Sequence, residues 1–173
     1  MSFKKRFVEA LLWVPADHLF NLAERVRIER LKKKFGALGE NPVIDQHFFV
    51  AAPENLFIES NVSFARDVKI MGAGKVYIKT GTIIAPGVTI LTTTHDARAV
   101  VVRETGYHRN VVIGRNVWIG ANATILPGVT IGNNSIVGAG TVVVDDVEEG
   151  DVIVGTASRV VRNRISNMNG GKK

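Results

Sequence analysis

The aliphatic side chains of this sequence recur every six residues, and that spacing constrains the fold more than any other feature. From residue 113 the series is unbroken and comprises Ile113, Ile119, Ile125, Ile131, Val137 and Val143. Two shorter series precede it, Ile58, Phe64 and Ile70 and then Ile78, Ile84 and Ile90, with a phase slip of two residues at 72–74. These twelve positions fit neither the period of an α-helix nor the alternation of a long strand.

A six-residue period is typical of short strands joined by tight corners that repeat around a coil. Three hexads make one three-sided turn, so the twelve hexads predict about four stacked turns. Glycines and small residues suit the corners, where bulky side chains would resist the backbone geometry. Six consecutive hexads in phase argue against an antiparallel sandwich. We therefore predict a mainly β protein, with a parallel β-helix domain at 36–165 and a flexible basic tail at 166–173.

The N-terminal region predicts helices instead. Residues 16–35 have the pattern of an amphipathic helix, and Gly36 is suited to terminate it. An earlier helix is expected at 3–14. The apolar positions within 16–35 are Leu19, Leu22, Ala23, Val26 and Leu31. Residues 1–35 carry a net charge of +5, against +1 for the rest of the chain. Such basic helices could contact anionic lipid or an anionic substrate, but we favour an apolar side packed on the body and a solvated basic side.

The composition of the chain excludes several classes of function. Because the chain has no cysteine, it can have no disulfide scaffold, thiolate zinc site or thiol nucleophile. The apolar stretch 7–14 contains Glu9, and neither a clear cleavage site nor a long apolar run follows it. We expect a cytoplasmic protein, with association at the inner face of a membrane left open. No nucleic-acid motif accompanies the basic residues, so we expect no nucleic-acid partner.

One long insertion interrupts the hexads. Between Ile90 and Ile113 the spacing is 23 residues instead of six, which leaves an extruded loop at 96–112 directly after His95. A loop of that length in a regular coil is usually functional. The position of His95 makes it the leading candidate for a catalytic residue, since imidazole titrates in the range that a general base needs.

Four segments resemble the hexapeptide-repeat acyltransferases, specifically the galactoside, maltose, nodulation-factor and streptogramin acetyltransferases. They are 83–90 (IIAPGVTI), 92–95 (TTTH), 112–120 (VIGRNVWIG) and 126–140 (LPGVTIGNNSIVGAG). The resemblance covers roughly 56–165 and includes the position of the loop. It implies a left-handed parallel β-helix assembled as a homotrimer, with active sites between neighbouring subunits. It also implies acetyl-CoA as co-substrate, no metal, and direct acetyl transfer with His95 as general base.

The resemblance assigns further residues to the coenzyme. It places coenzyme A against the backbone at Ala121 and Ala139, with the Trp118 side chain near the acetyl end. Arg159 and Arg162 match positions near the coenzyme's phosphates. Two alternatives stay open: Trp118 could be an aromatic residue at the trimer contact, and the arginines could be solvated tail charges.

The acceptor side departs from the family in one respect. Asp67 stands where sugar acetyltransferases of the group have an asparagine that contacts acceptor hydroxyls. A carboxylate could accept a hydrogen bond from a sugar hydroxyl or bind a cationic amine. Tyr107 and His108 in the loop could line the acceptor pocket, although loop polarity explains them equally well. Near the coenzyme, Asp145 replaces a lysine that the family often has, which removes one expected cation.

The leading hypothesis is an acetyl-CoA-dependent O-acetyltransferase that acts on a sugar or saccharide, in surface-polysaccharide assembly. An N-acetyltransferase on an amino-sugar nucleotide, a drug acetyltransferase and a non-catalytic hexapeptide scaffold remain alternatives. The trimeric carbonic anhydrases of this fold need three zinc-binding histidines, and the four histidines here lack that spacing. A peripheral membrane contact through the N-terminal helices is an additional expectation.

Overall fold

The computed structural model describes residues 16–156 and 159–163. It begins with one α-helix, α1 (Ala16–Lys32), and continues into nineteen short strands. The predicted helix at 3–14 and the tail at 166–173 lie outside the described residues. The prediction of a mainly β chain, with a helical N-terminal segment, a parallel β-helix and one extruded loop, is confirmed.

Seventeen of the nineteen strands form three sheets, and each complete turn of the coil contributes one strand to each of these sheets. Sheet A contains β1 (Ala37–Leu38), β4 (Leu56–Ile58), β7 (Val76–Ile78), β12 (Val111–Ile113) and β15 (Thr130–Ile131). Sheet B contains β2 (Val43–Ile44), β5 (Ser63–Phe64), β8 (Ile83–Ile84), β13 (Trp118–Ile119), β16 (Ile136–Val137), β18 (Asp151–Val154) and β19 (Arg159–Asn163). Sheet C contains β3 (Phe49–Val50), β6 (Lys69–Met71), β9 (Thr89–Leu91), β14 (Thr124–Ile125) and β17 (Val142–Val143).

Neighbouring strands within each sheet are parallel except for β18 and β19, which pair antiparallel. A separate antiparallel hairpin is made by β10 (Thr93–Thr94) and β11 (Tyr107–His108). Since successive strands pass from sheet A to B to C, the coil has three edges. We call them the AB, BC and CA edges after the sheets that they join.

The interior is filled by the hexad side chains. All twelve predicted positions are at most 2% exposed. In sheet A, for example, Ile78 pairs with Ile113, which pairs in turn with Ile131, so that identical side chains stack along the coil. Burying an aliphatic side chain of this size contributes about 1.5–3 kcal/mol, so this stack is the main source of stability.

The coil is longer than the predicted four turns. One turn, from β1 to β3, precedes the hexads that begin near residue 56. A partial turn follows them, in which Val147 bridges to Ile131 and β18 pairs with β16. The prediction of about four turns was therefore too low, and the structure has about six.

Left-handed backbone conformations mark the corners. At the BC edge the corner residues have φ between 57° and 72°; they are His47, Asp67, Gly87, Asn122 and Gly140. At the AB edge the same conformation occurs at Asn41, Asn61, Gly81, Asn116, Asn134 and Gly150. Asparagine, aspartate and glycine tolerate this region better than other residues do, which explains their recurrence. Each turn also bonds to the one before it, as where the Asp67 amide donates to the Gln46 carbonyl at 3.0 Å.

Helix α1 contacts the coil through one side only. Ile28 is buried, and the Arg27 guanidinium donates to the Phe48 carbonyl at 2.8 Å. Leu22 and Val26 are 60% and 42% exposed, so the expectation that the apolar side packs on the body is wrong for them. The reason is that the helix uses the side of Ile28 for its contact. Within the described ranges, no helix is long and apolar enough to cross a bilayer.

Candidate active site

His95 lies on the hairpin that leaves the coil at the CA edge. The chain departs after β9, and the amide of Arg109 donates to the Thr92 carbonyl at 2.9 Å to close the base of the hairpin. β12 then resumes the coil at Val111. The loop expected at 96–112 therefore shares its last two residues with β12.

The imidazole of His95 is held through one nitrogen. Nδ1 lies 3.0 Å from the Val102 carbonyl oxygen. Because a carbonyl can only accept, Nδ1 carries the hydrogen and Nε2 keeps its lone pair free. The ring also lies against Gly106, where an added Cβ would stand 3.3 Å from Cε1. A fixed ring with a free basic nitrogen is what a general base requires.

A threonine hydroxyl fixes the carbonyl that orients His95. Thr105 Oγ1 donates to the Val102 carbonyl at 2.8 Å and accepts from the Asp96 amide at 3.0 Å. The Asp96 carboxylate in turn accepts from the Arg98 amide at 2.9 Å. Neither Val102 nor Thr105 was predicted as a site residue. Val102 acts through its backbone carbonyl, which carries no signal in the sequence, and polar residues such as Thr105 are common in loops.

The returning strand of the hairpin carries the other predicted loop residues. Tyr107 pairs with Thr94, the neighbour of His95, and its side chain is exposed. The Arg109 guanidinium carbon lies 5.5 Å from the centre of the Tyr107 ring. The structure therefore brings Tyr107 to the strand that leads into His95, as an acceptor-binding role would require.

The residues predicted to contact the coenzyme lie along the BC edge and the sheet beside it. Trp118 points outward from β13 and is 53% exposed. Ala121 and Ala139 occupy successive corners, where the Ala121 carbonyl accepts from the Gly140 amide at 2.8 Å. Arg159 is exposed in β19 of the same sheet. The Arg162 side chain lies outside the described residues.

Asp67 also lies at the BC edge, and it is paired. Its Oδ1 lies 2.9 Å from Nδ1 of His47, and both side chains are 49% exposed. The edge of the Phe20 ring packs on His47 with the ring centres 5.7 Å apart. His47 was not predicted as a site residue. It stands one turn before Asp67 in the coil, so recognition of the first turn would have revealed the pair.

Helix α1 adds a charged pair beside His47. The Glu24 carboxylate accepts from the Arg27 guanidinium at 3.0 Å and from the His47 amide at 3.4 Å. The hydrogen bond from Arg27 holds the pKa of the Glu24 carboxyl below its usual range, and this carboxylate stays ionised near neutral pH. Over the part of the chain that the structure describes, no three histidine, aspartate or glutamate side chains come together as metal ligands.

Two edges of the coil thus carry the predicted site residues. Asp67, Ala121 and Ala139 lie at the BC edge, whereas His95 and Tyr107 project from the CA edge. The width of sheet C separates the two groups. The predicted coenzyme-binding residues therefore lie near one another, and so do the two hairpin residues. Within a single chain, however, the two groups lie apart.

Comparison with known proteins identifies relatives of this chain. Residues 110–145 match the family model described as bacterial transferase hexapeptide (six repeats). The chain is 34% identical to the galactoside O-acetyltransferase of Escherichia coli K12 over 149 residues, which cover 83% of this chain and 73% of that protein.

Solved structures show the same fold. The maltose O-acetyltransferase of Clostridium difficile 630 superposes with a TM-score of 0.75 at 33% identity, covering 79% of this chain and 74% of that one. A hexapeptide-repeat acetyltransferase of Vibrio cholerae, complexed with acetyl coenzyme A, superposes with a TM-score of 0.76 at 27% identity, covering 82% and 78%.

The match to the bacterial transferase hexapeptide model and the three-sided coil of six-residue repeats together place the chain among the hexapeptide-repeat transferases. The identity to the Escherichia coli enzyme and its coverage narrow this class further. The chain belongs to the hexapeptide-repeat acetyltransferases, in the group that contains the galactoside and maltose O-acetyltransferases.

Proposed function

We propose that the protein is an acetyl-CoA-dependent O-acetyltransferase that transfers acetyl directly to a hydroxyl of a sugar or saccharide. Its relatives include galactoside and maltose O-acetyltransferases, and the Vibrio cholerae structure contains acetyl coenzyme A. The observation that carries the proposal is the hydrogen bond from His95 Nδ1 to the Val102 carbonyl. It leaves Nε2 as a proton acceptor on the hairpin that interrupts the coil.

The reaction needs one group that first accepts and then donates a proton. As the acceptor hydroxyl oxygen attacks the thioester carbonyl carbon, Nε2 of His95 takes the hydroxyl proton. Collapse of the tetrahedral intermediate breaks the carbon–sulfur bond, and the imidazolium returns the proton to the leaving thiolate. The chain has no cysteine to form a thioester intermediate, which is in keeping with direct transfer.

The coenzyme would lie along the BC edge. Ala121 and Ala139 offer backbone there without bulky side chains, and Trp118 stands beside them on sheet B. Arg159 is exposed on β19 and is assigned to the phosphates, together with Arg162. These assignments rest on the family resemblance, and the positions of Ala121 and Ala139 on successive corners support them.

The acceptor would bind at Asp67 and Tyr107. Because Asp67 Oδ1 is engaged with His47, its second oxygen is left to accept a hydrogen bond from an acceptor hydroxyl. The O-acetyltransferase relatives favour a hydroxyl acceptor over an amino-sugar acceptor.

A homotrimer would unite the two edges. The outer face of sheet B exposes large apolar side chains, with Val43 at 58%, Ile83 at 54% and Trp118 at 53%. Exposed apolar surface of this kind usually marks a contact between proteins. If that face packs on a neighbouring subunit, the hairpin of one subunit can reach the BC edge of the next. We also propose that the protein is cytoplasmic. A contact between α1 and a membrane is a separate proposal.

The decisive experiment measures thiol release from acetyl-CoA with a panel of sugars and amino sugars. His95→Ala should lower acceptor-dependent release by about 10²–10⁴-fold with little change in Tm, because it removes the base from an exposed position. His18→Ala is the matched control, since His18 is exposed on α1. Release unaffected by His95→Ala would contradict the assignment of the base. No release with any acceptor, together with no coenzyme binding by calorimetry, would favour a non-catalytic scaffold.

A further inference from the structure

The side of α1 that faces away from the coil is apolar. Leu19, Leu22 and Val26 are 38%, 60% and 42% exposed, and Phe20 beside them is 51% exposed. Val26 lies about 160° around the helix from Ile28, the residue that α1 buries against the coil. Three large apolar side chains on this helix of 17 residues, Leu19, Leu22 and Val26, are thus exposed, whereas the Phe20 ring packs on His47.

Basic side chains border this apolar side. A shallow groove of about 600 Å³ runs along the helix between the apolar residues and the basic ones. Arg30 and Lys34 line it together with Arg27, and no acidic residue does so. The groove therefore combines an apolar floor with a cationic rim.

The two glutamates of α1 neutralise only part of that rim, at Arg27. Glu24 pairs with Arg27 at 3.0 Å, and Glu29 pairs with Lys32 at 2.7 Å. Arg30 and Lys34 have no ion-pair partner within residues 18–156. Their charge is thus available to an external anion.

We propose that this side of α1 docks the protein on an anionic lipid bilayer. Leu19, Leu22 and Val26 would enter the boundary between headgroups and acyl chains, while Arg30 and Lys34 reach lipid phosphates. The distribution of charge supports a lipid surface, since residues 1–35 carry +5 and the rest of the chain only +1. The proposal does not depend on acetyl transfer.

The same features disfavour a second copy of the chain as the occupant. Two copies of α1 placed face to face would bring Arg30 and Lys34 against like charges, which costs free energy. Sheet B already offers apolar area for contacts between subunits, through Ile83 and Trp118. A bilayer supplies both an apolar phase and the opposite charge.

Co-sedimentation of the full chain with vesicles tests the proposal. We expect binding to vesicles of phosphatidylglycerol and phosphatidylcholine in a ratio of about 1:3, and weak binding to pure phosphatidylcholine. Leu22→Ser/Val26→Ser should reduce the partition coefficient by about tenfold or more. Arg30→Glu/Lys34→Glu should abolish the preference for anionic vesicles, and for the unmodified chain added salt should weaken binding.

The control carries the same change of charge elsewhere. Lys69→Glu/Arg115→Glu alters two exposed cations of the coil and should leave vesicle binding unchanged. Since all the substituted side chains are exposed, each variant should fold, and a thermal melt checks this. Three results would overturn the proposal: no binding to anionic vesicles, equal binding by the α1 variants, or a change of oligomeric state in Leu22→Ser/Val26→Ser by light scattering.

Discussion

The coil and the hairpin of this protein hold their side chains in place by different means. In the coil, the twelve hexad side chains are at most 2% exposed, and packing fixes them. In the hairpin, His95 and Val102 are exposed and are positioned by hydrogen bonds to the backbone. Packing therefore determines the stability of the molecule, whereas a few polar contacts determine the geometry of the His95 imidazole.

The largest effect on stability should come from a methyl deletion inside the coil. Val137→Ala removes two methyl groups from a fully buried position, so we expect the free energy of unfolding to fall by about 2–3 kcal/mol. The melting temperature should fall by ~5–10 °C in a calorimetric scan. Activity of the protein that remains folded should stay near that of the unmodified chain.

Val100→Ala is the matched control in the hairpin. The chemical change is the same, but Val100 is fully exposed, so the Tm should hardly move. A similar loss of Tm in both variants would break the contrast between coil and hairpin.

A smaller effect should come from the hydroxyl that supports His95. Thr105→Val removes the hydrogen bonds to the Val102 carbonyl and from the Asp96 amide. We expect kcat to fall by about 3–10-fold, the equivalent of one ordinary hydrogen bond, with little change in Tm. Thr105→Ser keeps the hydroxyl and should restore kcat. If the serine variant were as slow as the valine variant, the hydroxyl would not be what positions the imidazole.

The smallest effect should appear at an exposed corner of the coil. Glu59 accepts hydrogen bonds from the Thr80 amide at 3.0 Å and the Thr80 hydroxyl at 2.8 Å, and these hold the pKa of its carboxyl below the usual range. A lowered pKa means that the carboxylate stabilises the fold above its unfolded pKa of about 4.3 and ceases to do so as the pH falls through the folded pKa.

Glu59→Gln should therefore lower Tm by about a degree at pH 7, and the difference should shrink as the pH falls from about 4.3 through the folded pKa. Thermal melts across that range check the sign. A difference that grows as the pH falls would contradict the assigned direction of the shift.

Much of the fold could be predicted because its core is periodic. Every hexad from Ile58 to Val143 is buried as the spacing indicated, and the slip at 72–74 is a longer corner between β6 and β7. The first turn was missed although Leu38, Ile44 and Val50 keep the six-residue spacing. A second slip of two residues separates Val50 from Ile58, and three positions alone do not establish a period.

The environment of α1 could not be predicted from its pattern. The sequence of an amphipathic helix shows that one side is apolar, but it does not show which side packs against the rest of the protein. Here a single buried aliphatic residue, Ile28, and the hydrogen bond from Arg27 to the Phe48 carbonyl determine the orientation. Both depend on tertiary contacts of the first turn, which the sequence analysis did not resolve.

The candidate site was predictable where it depends on topology. His95 stood out because a long insertion follows it. Asp67 was a candidate only through the family resemblance, which, aligned back from Ile78, places it where related sugar acetyltransferases have an acceptor-binding asparagine. The partners of these two residues were not predictable. The Val102 carbonyl reaches His95 only through the turn at 102–105, and His47 reaches Asp67 only through stacking of the first turn on the second.

The register of the strands on either side of the hairpin shows how the loop can vary while the coil stays the same. After the excursion, Val111–Ile113 lies directly on Val76–Ile78, residue for residue, as though the chain had never left the coil. An inserted segment at this edge therefore alters no interior contact, whatever its length. Hairpins from other members of the family should be exchangeable at this point by grafting, so acceptor preference can diverge while the scaffold stays unchanged.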